Sequence, residues 1–295
     1  MATLLLRLAA QRQAYDTTAE FSKRRTELAP TKSAVIGMIA AALGKPQLEN
    51  NVSPTFADLC ALKMGVRIDR AGKIEEQFST GGRGKDVVYN RHTGKVLNVR
   101  DFGLVCAGND SPISPQINGK ENNPSKLFGS PWTGYIIRRK SYLVDAAFTV
   151  GLEGSDDLLK KIAYAFQSPK WIVYLGRKAC PPHFPIILEN AILFDQDLSQ
   201  ALSEATSIVD IQNDWLSEVV GPVFDRYLRQ KREAAKRVRC ILECLPADED
   251  AKMVRDVPTE KGLGIRPYDF RFVRDVWVTL DKKGNENVPH AHQAV

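Results

Sequence analysis

One short amphipathic helix fixes the frame of this chain. In SDDLLKKIAYAFQSP (155–169) the residues Leu159, Ile162 and Phe166 recur at helical spacing on one face. Ser155 stands where an N-cap belongs, aspartates fill the first turn and Pro169 stops the helix. Upstream, RRKSYLVDAAFTVGLEG (138–154) reads as a strand; downstream, WIVYLG (171–176) is a short apolar element ending in glycine, read as another. The N-terminal part repeats the order. Residues 3–9 suggest a strand, residues 33–43 a small-residue helix with Gly44 as its C-cap, and 59–69 turn strand-like at their end. Between the two units lies a stretch of different texture. Residues 81–134 hold nine of the chain's 20 glycines and little periodicity, which predicts a functional loop or a partly disordered insertion. Strand, helix, strand, long insertion, strand, helix, strand is the split βαβ order, an α+β, ferredoxin-like arrangement.

The last third reads differently. A helical block covers about 196–236, broken at Gly221-Pro222, and VFDRYLRQKREAAKRVR (223–239) carries Arg229, Arg232 and Lys236 on one helical face. RVRCILECL (237–245) and YDFRFVRDVWVTL (268–280) alternate as strands, the second with Phe270, Phe272 and Val276 facing inward. The expected division is therefore residues 1–176, with the insertion at about 77–137, then a smaller mixed α+β region at 177–281 and a flexible tail at 282–295.

Charge narrows the partners only a little. The formal net charge is +6, which permits a polyanion without demanding one. MATLLLRLAAQ is too short an apolar run for a signal peptide and is interrupted by Arg7, and no stretch approaches a membrane span. Five scattered cysteines without a C-x-x-C pair predict a reducing, cytoplasmic setting.

Three basic stretches stand out. KRRTELAPTKSAVIGMIAAALGK (23–45) runs Lys23, Arg24 and Arg25 toward a helix whose N-terminus carries Thr31, Lys32 and Ser33. Unpaired N–H groups and the helix dipole attract phosphate at such a point, although a capped helix beside a solvated loop has the same sequence. YLGRKACPPHFP (174–185) is a stiff loop in which Gly176 permits close backbone approach, Arg177 suits two phosphate oxygens and Lys178 is a point charge; a solvated turn reads the same way. GGRGKDVVYNRHTGK (81–95) interleaves Arg83, Lys85 and Arg91 with Tyr89 and His92, as single-stranded nucleic-acid sites do, but a flexible loop does so too. Cys180 and His183 are too few for a metal, and no metal or cofactor is expected. A metal-independent ribonuclease would draw on Tyr89, His92, Tyr135 and Lys140.

Read together, these blocks resemble the RAMP-type CasD family of Cascade subunits from type I-E CRISPR systems. LLLRLAAQRQAY, RRTELAPTKSAVIGMIAAALG, GVRIDRAG, STGG, RKSYLVDAAFTVGLEG, YLGRKACPPHFP and DVPTEKGLGIRPYDFRFVRDVWV occur in family order from residue 4 to residue 278. The chain departs from the family where Tyr15 and Asp16 replace the Trp-Gly that often follows Gln-x, and where Gln77, Phe78 and Ser79 occupy a region that often holds a histidine. The resemblance implies a non-catalytic RNA-binding subunit with an RRM-like, ferredoxin-type domain and a thumb in the insertion. It implies a grip on the 5′ handle of a guide CRISPR RNA and a cap on the backbone filament. Its neighbours would be the adjacent backbone subunit and the large PAM-reading subunit, with target DNA met indirectly. Carried onto this chain, the RNA contacts are Gln13, Tyr15, Arg24, Arg25, Thr31, Lys32, Ser33, Arg138, Arg139, Arg177 and Lys178, with Arg83, Lys85 and Arg91 on the thumb. The alternative is an endoribonuclease that processes CRISPR repeat RNA.

Overall fold

The computed structural model describes residues 2–16, 23–44, 54–82, 84–89, 96–102, 135–187, 190–209, 236–259 and 268–280. By contact the chain divides into two units, one of Met1–Thr18, Arg25–Glu75 and Ser141–Val295, the other of Ala19–Arg24 and Glu76–Lys140.

In the first unit the apolar N-terminus forms β1 (Ala2–Ala9), buried at every residue. A strand buried on both faces belongs inside a sheet. β1 lies between β9 (Ala147–Gly154) and β10 (Ile192–Phe194), and beyond β9 come β4 (Lys63–Arg70), β11 (Lys236–Cys244), β13 (Tyr268–Leu280) and β12 (Lys252–Pro258). Every neighbouring pair is antiparallel. α1 (Lys32–Leu43) follows β1 in sequence and α3 (Asp156–Gln167) follows β9; both bury their apolar residues in one core with the even positions of β1. The short α2 (Phe56–Ala61) adds Leu59 to that core. On the opposite face α4 (Leu198–Glu204) packs Leu198, Ala201 and Leu202 against Leu5, Cys240 and Leu242.

The local signals explain most ends. Thr31 caps α1 by accepting from the Ala34 amide, and Gly44 closes it in the left-handed region at φ 66°. Ser155 holds the N-cap position of α3 but its side chain makes no cap bond, contrary to the expected role. The stretch 138–154 is two strands, not one: β8 (Tyr135–Val144) ends at Asp145, whose φ of 57° turns the chain into β9. WIVYLG is not a strand. Trp171 gives its amide to the Ala41 carbonyl at the end of α1, and the strand beside β1 is β10 instead. Lys236 starts β11, so the predicted basic helix does not extend to 239; its other residues lie outside the described ones, as do 210–235 and the tail 281–295. The division at 176 does not hold, because β10 to β13 continue the sheet that β1 begins.

On β13 the period was legible and the phase only in part. Arg271 and Val273 are buried, while Phe270 is 49% exposed. The charged cluster described below claims Arg271 and turns residues 271 and 273 inward at this end of the strand, while Val276 packs against the α4 core as expected.

A second charged group sits under α4. Arg67 is fully buried; its Nε pairs with Asp69 at 2.6 Å, and its Nη1 and Nη2 donate to the carbonyls of Ala205 at 2.6 Å and Thr206 at 3.2 Å. Asp69 also accepts from the Thr149 hydroxyl and the Ile208 amide. Arg7 lies nearby with Nε and Nη1 buried and unbonded, and burial, aided by Arg67 and opposed by Asp69, lowers its pKa to about 10. Arg7→Met removes two unmet donors and keeps the stem, so it is expected to stabilise the chain by about 1 kcal/mol in a urea melt.

In the second unit, β3 (Lys23–Arg24) pairs in parallel with β8, and β5 (Lys73–Gly82) pairs with β8 as well. β6 (Gly84–Tyr89) and β7 (Val96–Phe102) form an antiparallel ribbon with an irregularity between Val88 and Tyr89. That stretch, expected to be a functional loop or a partly disordered insertion, therefore holds two paired strands.

Candidate nucleic-acid interface

The mouth of α1 is occupied by the protein's own carboxylates. The Lys32 amide donates to Asp256 Oδ2 at 2.8 Å, taking up the donor and helix-end field that would draw a phosphate. Lys32 Nζ, on a residue only 3% exposed, pairs with Glu243 at 3.0 and 3.1 Å. Arg271 joins both acids, at 2.7 and 2.9 Å to Asp256 and 3.3 Å to Glu243. Two cations and two anions thus close a buried cluster. Thr31 is buried as the cap and shares a hydrogen bond with Ser33. The expected phosphate corner at Thr31, Lys32 and Ser33 is a structural joint between α1 and strands β11 to β13.

Gln13 and Tyr15 are likewise internal, which corrects their expected contact with RNA. After β2 (Arg12–Gln13) pairs with β8, the Gln13 amide donates to the Ala146 carbonyl at 2.7 Å and its oxygen accepts from the Tyr15 hydroxyl at 2.6 Å. Tyr15 meets Phe148 edge to face, and burial, with Cys180 close by, pushes its phenol well above the usual value. It acts as a neutral donor inside the core.

Arg177 is a strut. Its Nη1 donates to the Ser141 carbonyl at 3.0 Å and its Nη2 to the Arg25 carbonyl at 2.8 Å, with Asp16 at 3.4 Å. The guanidinium lies 5.1 Å from the centre of the Tyr142 ring, which Arg12 also approaches at 5.9 Å. Behind it, Gly176 has φ 92° and abuts the Ala14 carbonyl, while the Ala14 amide donates to Leu175 at 3.2 Å. Three stretches distant in sequence, 14–16, 25–27 and 175–180, are knitted together. Arg25 and Lys178, both exposed, stand on adjoining segments as a result. Arg12 and Tyr142 were not singled out in the sequence; only the alternation of cations and rings on two strands could have flagged them.

In the second unit the pairing of β3 with β8 sets Lys23 beside Arg139 and Arg24 beside Lys140. Arg24 and Arg139 are exposed, and the acid seen nearby is Glu76, 4.0 Å from Lys23. Like charges on paired strands repel, so an arrangement of this kind suits a bound polyanion. Lys85 lies on β6 and Arg138 on β8, and their side chains are not described; Arg83 and Arg91 fall outside the described residues. Of the groups a ribonuclease would use, Tyr89 ends β6, Tyr135 opens β8, Lys140 is half-buried and His92 is outside the described residues. Cys180 is buried, and burial raises its thiol pKa. Among the described residues no group of three or more His, Cys, Asp or Glu side chains is placed to hold a metal, and no helix is long and apolar enough to cross a membrane.

This mixed α/β chain, dominated by antiparallel sheet, has solved counterparts of similar fold among the CRISPR-associated proteins. A solved structure titled "Crystal structure of Cas protein" covers 94% of this chain and 95% of its own at 25% identity and TM-score 0.55. Another, titled "CRISPR RNA-guided surveillance complex", covers 94% of this chain and 90% of its own at 24% identity and TM-score 0.56, a likeness of fold. The family model described as "CRISPR-associated protein (Cas_Cas5)" matches residues 3–274, and the chain belongs to that family. It is also 23% identical over 188 residues to the CRISPR system Cascade subunit CasD of Escherichia coli (strain K12), covering 63% of this chain and 69% of that protein.

Proposed function

We propose that this chain is a non-catalytic subunit of a CRISPR RNA-guided surveillance complex that grips the 5′ handle of the guide RNA and caps the backbone filament. The observation that carries the reading is the parallel pair β3 and β8, which sets like charges beside each other in two pairs, Lys23 with Arg139 and Arg24 with Lys140, where a phosphate backbone would relieve their repulsion. Arg25 and Lys178 supply further exposed charge. Family membership and the names of the relatives point the same way. In this reading the strand order β10-β1-β9-β4, with a helix following β1 and another following β9, is the ferredoxin-like, RRM-type core, and the 76–140 unit holds the thumb. The adjacent backbone subunit and the PAM-reading large subunit are its protein neighbours, target DNA is met indirectly, and the setting is cytoplasmic.

The test is one gel. Labelled repeat RNA is incubated with the purified chain in chelator, and retention and cleavage are read together. Intact RNA held through its handle is the expected result; a discrete cut beside the handle would make the chain an endoribonuclease, and equal binding of scrambled RNA would remove handle recognition. Arg24→Ala with Arg139→Ala should weaken handle binding about tenfold and reduce the slope of log affinity against log salt by about 1.4, near 0.7 per lost phosphate contact.

A further inference from the structure

The far end of the seven-stranded sheet leaves an indole in the open. Trp277 is 57% exposed; β11 pairs with β13 along its length to Leu280, while β12 pairs with it only as far as Val273, so Trp277 has a strand neighbour on one side. The register sets Arg239 opposite Trp277 and Arg237 opposite Thr279. Alternation puts these residues on the same face as Asp275, Val273 and Arg271. The Arg237 guanidinium stands 5.7 Å from the centre of the Trp277 ring. Asp275 takes hydrogen bonds from Arg239 and Lys252 at 2.8 and 2.7 Å. Partial burial opposes its charge, but those two bonds outweigh it and hold the carboxyl below its usual range, so it is ionised at neutral pH. Three cations against one carboxylate leave the surface around the ring positive by two.

A large ring left more than half in solvent contributes little to folding. Its neighbours indicate what would cover it. Cations beside an open aromatic face fit a chain that carries both a flat base and a phosphate at each step. An acidic protein segment would satisfy the charges but not require the ring. We propose that this face binds single-stranded nucleic acid, with one base stacked on Trp277 and the flanking phosphates on Arg237, Arg239 and Lys252. The site goes beyond the handle grip, because it needs no particular sequence and uses other residues.

The experiment measures fluorescence anisotropy of a labelled oligouridylate with no handle, added to the full chain over a salt series. The wild-type chain is expected to bind it. Trp277→Ala should weaken binding about tenfold, as loss of one stacked base does. Trp277→Phe should retain most of the affinity, and Arg237→Gln should lower the salt slope by about 0.7. Arg24→Ala with Arg139→Ala should leave oligouridylate binding in place while handle binding falls, so the two proposals fail separately. No oligouridylate binding by the wild type, or equal binding by Trp277→Ala and Arg237→Gln, overturns the inference. So does unchanged RNA affinity in Trp277→Ala with loss of a protein neighbour from the assembly.

Discussion

Lys32→Ala is expected to unfold this protein more readily, not to remove an RNA contact. The ammonium is buried and meets both Glu243 oxygens, while the backbone amide of the same residue anchors Asp256. Removing one member of a buried ion pair leaves its partner's charge poorly compensated, a loss of about 3–5 kcal/mol. Arg271 stays on Glu243, which is 18% exposed, so the lower end of that range applies. Lys32→Met should fare somewhat better than Ala because it fills the stem's space, yet it still leaves the carboxylate. Urea midpoints for wild type, Lys32→Ala and Lys32→Met check the order, and RNA affinity measured on folded protein checks the meaning. A Lys32→Ala chain that melts like wild type but binds the handle poorly would restore the phosphate corner.

The reason Lys32 misleads in sequence is general. Its local context, a proline, a threonine cap and an apolar small-residue helix, is what a phosphate site looks like. Its real partner lies 211 residues away in the chain. Local periodicity carried β1, α1, α3, β11 and β13 to within a few residues, because each rests on its own apolar pattern and its own cap or stop. What it could not carry was pairing. β10 has three residues and no pattern of its own; it is a strand because β1 offers an edge. WIVYLG has the pattern but is held by the end of α1 instead. Gln13 and Tyr15 look like surface polar residues and are a matched internal pair. Of the candidate site, Arg24, Arg25, Arg139 and Lys178 are exposed and were legible as cations; that Arg24 and Arg139 share a strand pair was not, since no local rule joins residue 24 to residue 139.

Gly176→Ala tests the other half of that construction. Two separate costs meet at one atom. The backbone sits at φ 92°, where an L side chain is strained, and a Cβ would run into the Ala14 carbonyl. That carbonyl has little room to retreat. The Ala14 amide is bonded to Leu175, and Gln13 and Tyr15 on either side are buried and bonded to each other. The loop must therefore lift, and lifting it withdraws Leu175 and Cys180 from the core and breaks the Arg177 bonds to Ser141 and Arg25. The expected loss is about 4 kcal/mol, in the range reserved for backbone strain combined with core disruption. The same substitution at Gly37 is the control. Nothing lies within 4 Å of a Cβ there, on a helix, so Gly37→Ala should gain about 0.5–1 kcal/mol. Urea midpoints moving in opposite directions for the two variants would locate the effect in the Gly176 contact. Because the strut then no longer holds residues 25 and 178 together, handle affinity should fall in Gly176→Ala even in the folded fraction, while Gly37→Ala binds as wild type. A Gly176→Ala chain as stable as wild type would mean that Ala14 can yield, and that the loop is not the rigid support argued for Arg25 and Lys178.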